Sequence, residues 1–175
     1  MANPPLPPNR YITTHDPSTG AAIFSSVFPE SLKVDTLFDG KMQFIESYKT
    51  SSFPVTLTSE TDIQELQARS NDPPGITYEK GGTVLRYCDW APGFELGMHR
   101  HETMDYGIVI SGQVELILDS GEVRTLRSGD CMVQRGTMHA WRNPSSTEWA
   151  RVVFILQGCP PVKVAGKTMA EHIPM

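Results

Sequence analysis

From Thr83 onward the chain is cut into apolar runs too short for helices: "TVLRYCDW", "DYGIVIS", "QVELILD", "EVRTL", "CMVQR", "MHAWRN" and "WARVVFILQ". The breaks carry "APG", "SG", "DSG", "SGD" and "RG", and glycine or proline at such close intervals marks turns between strands. A succession of short strands has to dispose of its exposed edges, and closing the sheet on itself does so. The pattern therefore predicts an all-β fold, a barrel or a two-sheet jelly roll.

The first nine residues, "MANPPLPPN", hold four prolines and read as an extended arm, either loose or laid on a partner subunit. "RYITTHDPSTGAAIFSS" reads as a short hairpin turning at Asp16, Pro17, Ser18 and Gly20, and "MQFIESY" as a strand. The one helix is expected in "SETDIQELQARS", with Ser59 as cap, Ile63 and Leu66 on one face, and "NDPPG" as its stop. A chain of 175 residues suits one domain. It divides into an arm (1–9), an N-terminal strand and helix extension (10–79), a barrel core (80–157) and a tail (158–175) expected to cover the barrel without much regular structure.

Cys88, Cys131 and Cys159 are odd in number and far apart, which argues against a disulfide framework and for a reducing compartment. A net charge of −5 with scattered Lys and Arg offers no basic field for nucleic acid. No apolar run is long enough to span a membrane, and the start lacks the regions of a signal peptide, so a soluble cytoplasmic protein is expected.

The stretch "GFELGMHRHETMDYGIVISG" concentrates the chemistry. Alternate strand residues share a face, so His99 and His101 project together while Arg100 points away. Asp105 returns to the same point if the chain bends near Glu102 and Thr103, and "CMVQRGTMHAWRN" adds His139. Three imidazoles and a carboxylate suit one divalent ion: Zn, Fe(II), Mn, Co or Ni. Asp105 either binds that ion or supports a ligand histidine by a hydrogen bond. Such an ion keeps a formal charge of about +1 and coordination positions open to an anionic oxygen. His15 and His172 read as structural or solvated.

Gly93, His99, His101, Asp105 and Gly112 resemble the first motif of the cupin superfamily, with aspartate where glutamate is commoner. Gly129, Gly136, His139 and Asn143 resemble the second, which is one residue short and has Gln134 or Arg135 where proline is usual. The resemblance implies a single cupin jelly-roll barrel, and it extends to small cupins of fungal or bacterial secondary-metabolism pathways. Fold alone does not choose a reaction, because cupins include dioxygenases, decarboxylases, isomerases and binders.

Around the ion, Trp141 and Asn143 share the parity of His139. Trp141 is either a wall of the substrate pocket or a filler of the barrel; for Asn143 a strand-closing role is favoured over catalysis. Arg86 shares the parity of Val84, Cys88 and Trp90: turned inward it binds a substrate carboxylate, turned outward it is a surface charge. Tyr106, Tyr87 and Glu102 are candidate proton donors or bases, although the parity of Glu102 opposes His101. Apolar residues on both sides of "YGIVI" and "VELILD" suggest a homodimer. The expected function is a metal-dependent lyase or isomerase acting on a small, oxygen-rich, anionic substrate. The alternatives are an Fe(II)-dependent dioxygenase and a binding protein without turnover.

Overall fold

The computed structural model describes residues 3–70 and 81–173; the expected helix stop at 71–75 and the first two residues of the arm lie outside them. Among the described residues fourteen strands and one α-helix follow in order. They are β1 (Thr13–His15), β2 (Ala22–Phe24), β3 (Asp35–Leu37), β4 (Met42–Thr50), α1 (Thr61–Ala68), β5 (Thr83–Trp90), β6 (Glu95–His99) and β7 (Thr103–Ser111). Then come β8 (Gln113–Leu118), β9 (Val123–Arg127), β10 (Cys131–Arg135), β11 (His139–Arg142), β12 (Ala150–Gly158), β13 (Val162–Val164) and β14 (Lys167–Met169).

Two sheets build the jelly roll. A six-stranded sheet runs β10-β7-β12-β5-β4-β3, and a four-stranded sheet runs β6-β11-β8-β9. Every pairing is antiparallel. Period-two alternation sends one face of each strand inward, and the core gathers Met42, Phe44, Val84, Cys88, Trp90, Val109, Val114, Trp141, Val152 and Leu156. The turn between β7 and β8 depends on Gly112. Its φ is +71°, and a Cβ there would stand 2.7 Å from the Trp149 carbonyl oxygen.

The N-terminal segment departs from expectation in two places. Ser59 does not cap the helix, because Ser59 and Glu60 both take left-handed φ angles, 57° and 55°, and the residue before α1 makes no side-chain capping bond. The helix is held instead by its buried face, Ile63 and Leu66, and by Tyr48 donating to Asp62 at 2.5 Å. The proline-rich arm lies on its own sheet. Arg151 pairs with the buried Asp89 through two bonds of 2.6 and 2.7 Å and donates to the Leu6 carbonyl at 2.8 Å, which pins the arm to the outer face.

The tail carries more regular structure than expected. β13 and β14 form a hairpin. Beyond it Arg100 and His172 exchange backbone hydrogen bonds of 2.7 and 2.9 Å. The outer face of the six-stranded sheet leaves Tyr106, Ile108, Ile110, Val133 and Ile155 exposed, of which Ile108 and Ile110 belong to the runs on which the sequence suggested a homodimer. No helix among the described residues is long and apolar enough to cross a membrane.

Candidate functional site

The histidines meet where the two sheets face each other. His99 ends β6 and His139 begins β11, and the two are register partners, so their rings stand 4.1 Å apart between centroids. His101 lies just beyond β6 in the turn to β7, buried, with its ring 5.3 Å from that of His99. Asp105 enters from near the start of β7, on the opposite sheet, and Arg86 from β5 of that sheet. All five line one chamber of about 30 Å³, with Trp141, Trp90, Phe44 and Met42 among its walls.

Burial governs ionisation in the chamber. Desolvation holds the imidazoles of His101 and His139 down at about 3 and lowers that of His99, with the neighbouring histidines and Arg86 adding to the effect. The imidazoles are therefore neutral at physiological pH, the form that donates a lone pair to a metal. Burial pushes the Asp105 carboxyl up to about 6, opposed by Arg86 and by a Thr103 hydroxyl that lies close but outside hydrogen-bonding geometry.

The donor set fits a divalent ion in its chemistry. Nδ1 of His99 faces the Gly97 carbonyl at 2.7 Å, and Nδ1 of His139 faces the Thr137 carbonyl at 2.9 Å. A carbonyl only accepts, so each Nδ1 carries the proton and each Nε2 presents its lone pair to the chamber. Nδ1 of His101 faces Glu171 Oε1 at 3.5 Å. Buried oxygens Oδ1 of Asp105 and Oε1 of Gln134 have no hydrogen-bond partner among the described residues. Among the described residues, however, no three His, Cys, Asp or Glu side chains converge on one point at ligand spacing. The amide of Gln134 stands between two of them, 2.9 Å from His139 Nε2 and 3.3 Å from Asp105 Oδ2.

The remaining sequence candidates separate clearly. Arg86 is buried and inward, its guanidinium 4.8 Å from the Phe44 ring centroid. Trp141 lines the chamber and stacks on Trp90 at 5.7 Å. Asn143 does not line it. Its amide donates to the carbonyls of Trp90, Ala91 and Glu148, and its oxygen accepts from Ser145 N–H, so it ties β5 to the β11–β12 loop. Tyr106 turns outward because it neighbours the inward Asp105 on a regular strand, and it is 38% exposed. Glu102 faces the tail: its carboxylate accepts from Glu171 N–H at 3.4 Å and its carbonyl from Cys159 N–H at 2.9 Å. Neither Tyr106 nor Glu102 reaches the chamber.

Sequence reasoning passed over three contributors. Gln134 shares the inward parity of Met132, and a polar residue at such a position was the available signal. Glu171 had no signal, since nothing local ties the tail to His101. The third is a larger cavity of about 280 Å³ outside the chamber, lined by Arg10, Phe28, Lys33, Asp35, Glu46, Lys49 and Arg69. Phe44 and Arg86 line both spaces and so form their common wall.

With this geometry in view, the relatives of the chain are informative. The family described as Cupin domain matches residues 86–157. Phomopsin biosynthesis cluster protein C' of Diaporthe leptostromiformis is 44% identical over 162 residues, covering 93% of this chain and 84% of its own length. Cupin-domain-containing oxidoreductase fogC of Aspergillus ruber is 39% identical over 168 residues, covering 94% of this chain and 79% of its own length. Among solved structures, KdgF from Halomonas sp. is similar at 18% identity and a TM-score of 0.48, over 71% of this chain and 84% of that one. Two strand-borne motifs, a jelly-roll frame and relatives matched along nearly the whole chain lead to one conclusion: the chain belongs to the cupin family and is an enzyme of that family.

Proposed function

We propose that this cupin is a metal-dependent oxidoreductase acting on a small, oxygen-rich organic acid or polyketide-like metabolite of a secondary pathway. The observation that carries the reading is the buried set of three neutral imidazoles, with the Nδ1 protons of His99 and His139 committed to carbonyls, beside the carboxyl of Asp105. A divalent ion held by His99, His101, His139 and Asp105 would supply positive charge and, if it is iron, electron exchange with dioxygen. The names of the relatives weigh toward oxidation over the lyase or isomerase chemistry that the sequence alone placed first.

The protein's own residues divide the remaining work by size. A chamber of about 30 Å³ holds an ion and one or two waters, and no organic skeleton. The cavity of about 280 Å³ beside it approaches the volume of a small-molecule site. The body of the substrate therefore sits outside, with one oxygen function passing Arg86 and Phe44. The fork of Arg86 orients a carboxylate or enolate at that threshold. Trp141 and Phe44 keep water from the reacting end.

One observation favours the non-oxidative alternative. Asp105 Oδ1 is buried and without a hydrogen-bond partner among the described residues, so a carboxyl standing beside the ion and not bound to it could hold the proton that a decarboxylation or dehydration moves. Product analysis of the metal-loaded protein with candidate metabolites, in air and under nitrogen, separates the readings. Turnover that stops without oxygen supports the oxidoreductase. Undiminished turnover under nitrogen, with no change in the oxidation level of the product, rejects it in favour of a lyase or isomerase. Binding without conversion in either atmosphere rejects both.

A further inference from the structure

Gln134 is a buried polar side chain beside the chamber, in contact with two of the residues that the proposed ion would use. It is 5% exposed and lies on β10 directly across from Asp105 on β7. Its Nε2 donates to His139 Nε2 at 2.9 Å and to Asp105 Oδ2 at 3.3 Å. The direction of these bonds follows from chemistry. Nδ1 of His139 donates to the Thr137 carbonyl at 2.9 Å, so Nε2 can only accept. A reversed amide would set its carbonyl oxygen against both a lone pair and a carboxylate, whereas the orientation found gives each acceptor a donor.

The amide therefore occupies the same lone pair that a cation would take. One electron pair cannot serve both. Nor can an N–H pair remain beside a cation held by the two groups it now contacts, because its hydrogens carry positive charge. The buried Oε1 of Gln134, which has no hydrogen-bond partner among the described residues, marks the cost of this arrangement: the amide satisfies His139 and Asp105 at the expense of its own acceptor.

We propose that Gln134 is a placeholder that ties His139 to Asp105 before a cation enters and must release both for the site to load, so that it sets the affinity and entry rate of the centre. The proposal rests on the metal reading above. Its role is positioning, not ligation.

The test is Co(II) titration of the chelator-stripped full-length protein, followed by visible absorption at equilibrium and by stopped flow, in wild type and in Gln134→Leu. Leucine keeps most of the volume and removes the competing N–H groups. Gln134→Leu is expected to bind Co(II) about tenfold more tightly, equivalent to roughly 1.4 kcal/mol, and to load faster. Equal or weaker binding by a folded Gln134→Leu protein overturns the proposal while leaving the metal reading in place. Folded proteins that both fail to bind Co(II), Zn(II), Mn(II) or Fe(II) remove the metal reading and this proposal together. A second measurement needs no variant. On titration of the wild type with diamagnetic Zn(II), the side-chain amide resonances of Gln134 should shift in step with His139 Nε2, and resonances that stay in place overturn the proposal.

Discussion

Glu171 Oε1 stands 3.5 Å from Nδ1 of His101, although seventy positions of chain separate the two residues. The strap beyond β14 brings them together through the backbone pairing of Arg100 with His172. A carboxylate behind an imidazole fixes the ring and raises its basicity, and loss of such a partner typically costs tenfold or more in metal affinity. Glu171→Ala should therefore weaken Zn(II) binding about tenfold in competition with a chromogenic chelator. His172→Ala should leave it unchanged, since that position meets Arg100 through backbone atoms.

Removing a histidine is more severe. His101→Ala is expected to retain less than about a tenth of the wild-type metal, measured by elemental analysis of the folded protein, and to lose activity in proportion. Equal metal content in the two proteins would contradict the assignment of His101 as a ligand.

Asn143 should reveal itself as structural. It is fully buried and makes four hydrogen bonds, so Asn143→Ala strands three carbonyls and one N–H group. The expected loss is about 3 kcal/mol, seen as a thermal midpoint lower by roughly 6–12 °C. Metal content per folded molecule should stay at the wild-type level.

Arg86 is expected to act on the guest and not on the ion. Arg86→Met keeps the stem over Phe44 and removes the fork. It should weaken binding of a simple aromatic carboxylate such as benzoate at least about tenfold by calorimetry, with metal content unchanged. A variant that binds benzoate as well as wild type would place the carboxylate elsewhere.

The metal-free protein should lose stability in mild acid. His101 and His139 titrate at about 3 when folded, against 6.5 in the unfolded chain, so below pH 6.5 the unfolded state takes up protons that the native state refuses. Asp105 works the other way: held at about 6 against 3.8, it binds its proton more readily when folded, and acidification from pH 6 toward 4 favours the native state at this one group. Two imidazoles with the larger shifts outweigh one carboxyl. The urea midpoint of chelator-treated protein should be lower at pH 5 than at pH 7, and an equal or higher value at pH 5 would contradict this balance.

Much of the barrel was legible because its signals are local. Each strand from β5 to β12 except β6 was readable from an apolar run closed by a turn, and Arg86 faces inward on the parity it shares with Val84 and Cys88. Tyr106 shows the same rule left unused, since a tyrosine next to an inward Asp105 has to face out. What escaped depends on contacts between distant segments. β3 is three residues with no pattern of its own, the arm is placed by Arg151, and the strap by Arg100. Ser59 fits a capping pattern, but backbone angles of the left-handed kind override it.

The shared wall of Arg86 and Phe44 has a consequence for how such an enzyme diversifies. If the proposed function holds, reactivity and recognition are encoded in separate stretches of the gene product. On the proposed reading the barrel strands would meet a single oxygen function, while the antechamber, lined largely by residues 10–70, would meet the bulk of the molecule behind it. Substitutions at Phe28, Lys33 or Arg69 can retailor that outer mould for a differently shaped metabolite while the imidazole cluster goes on performing the same reaction.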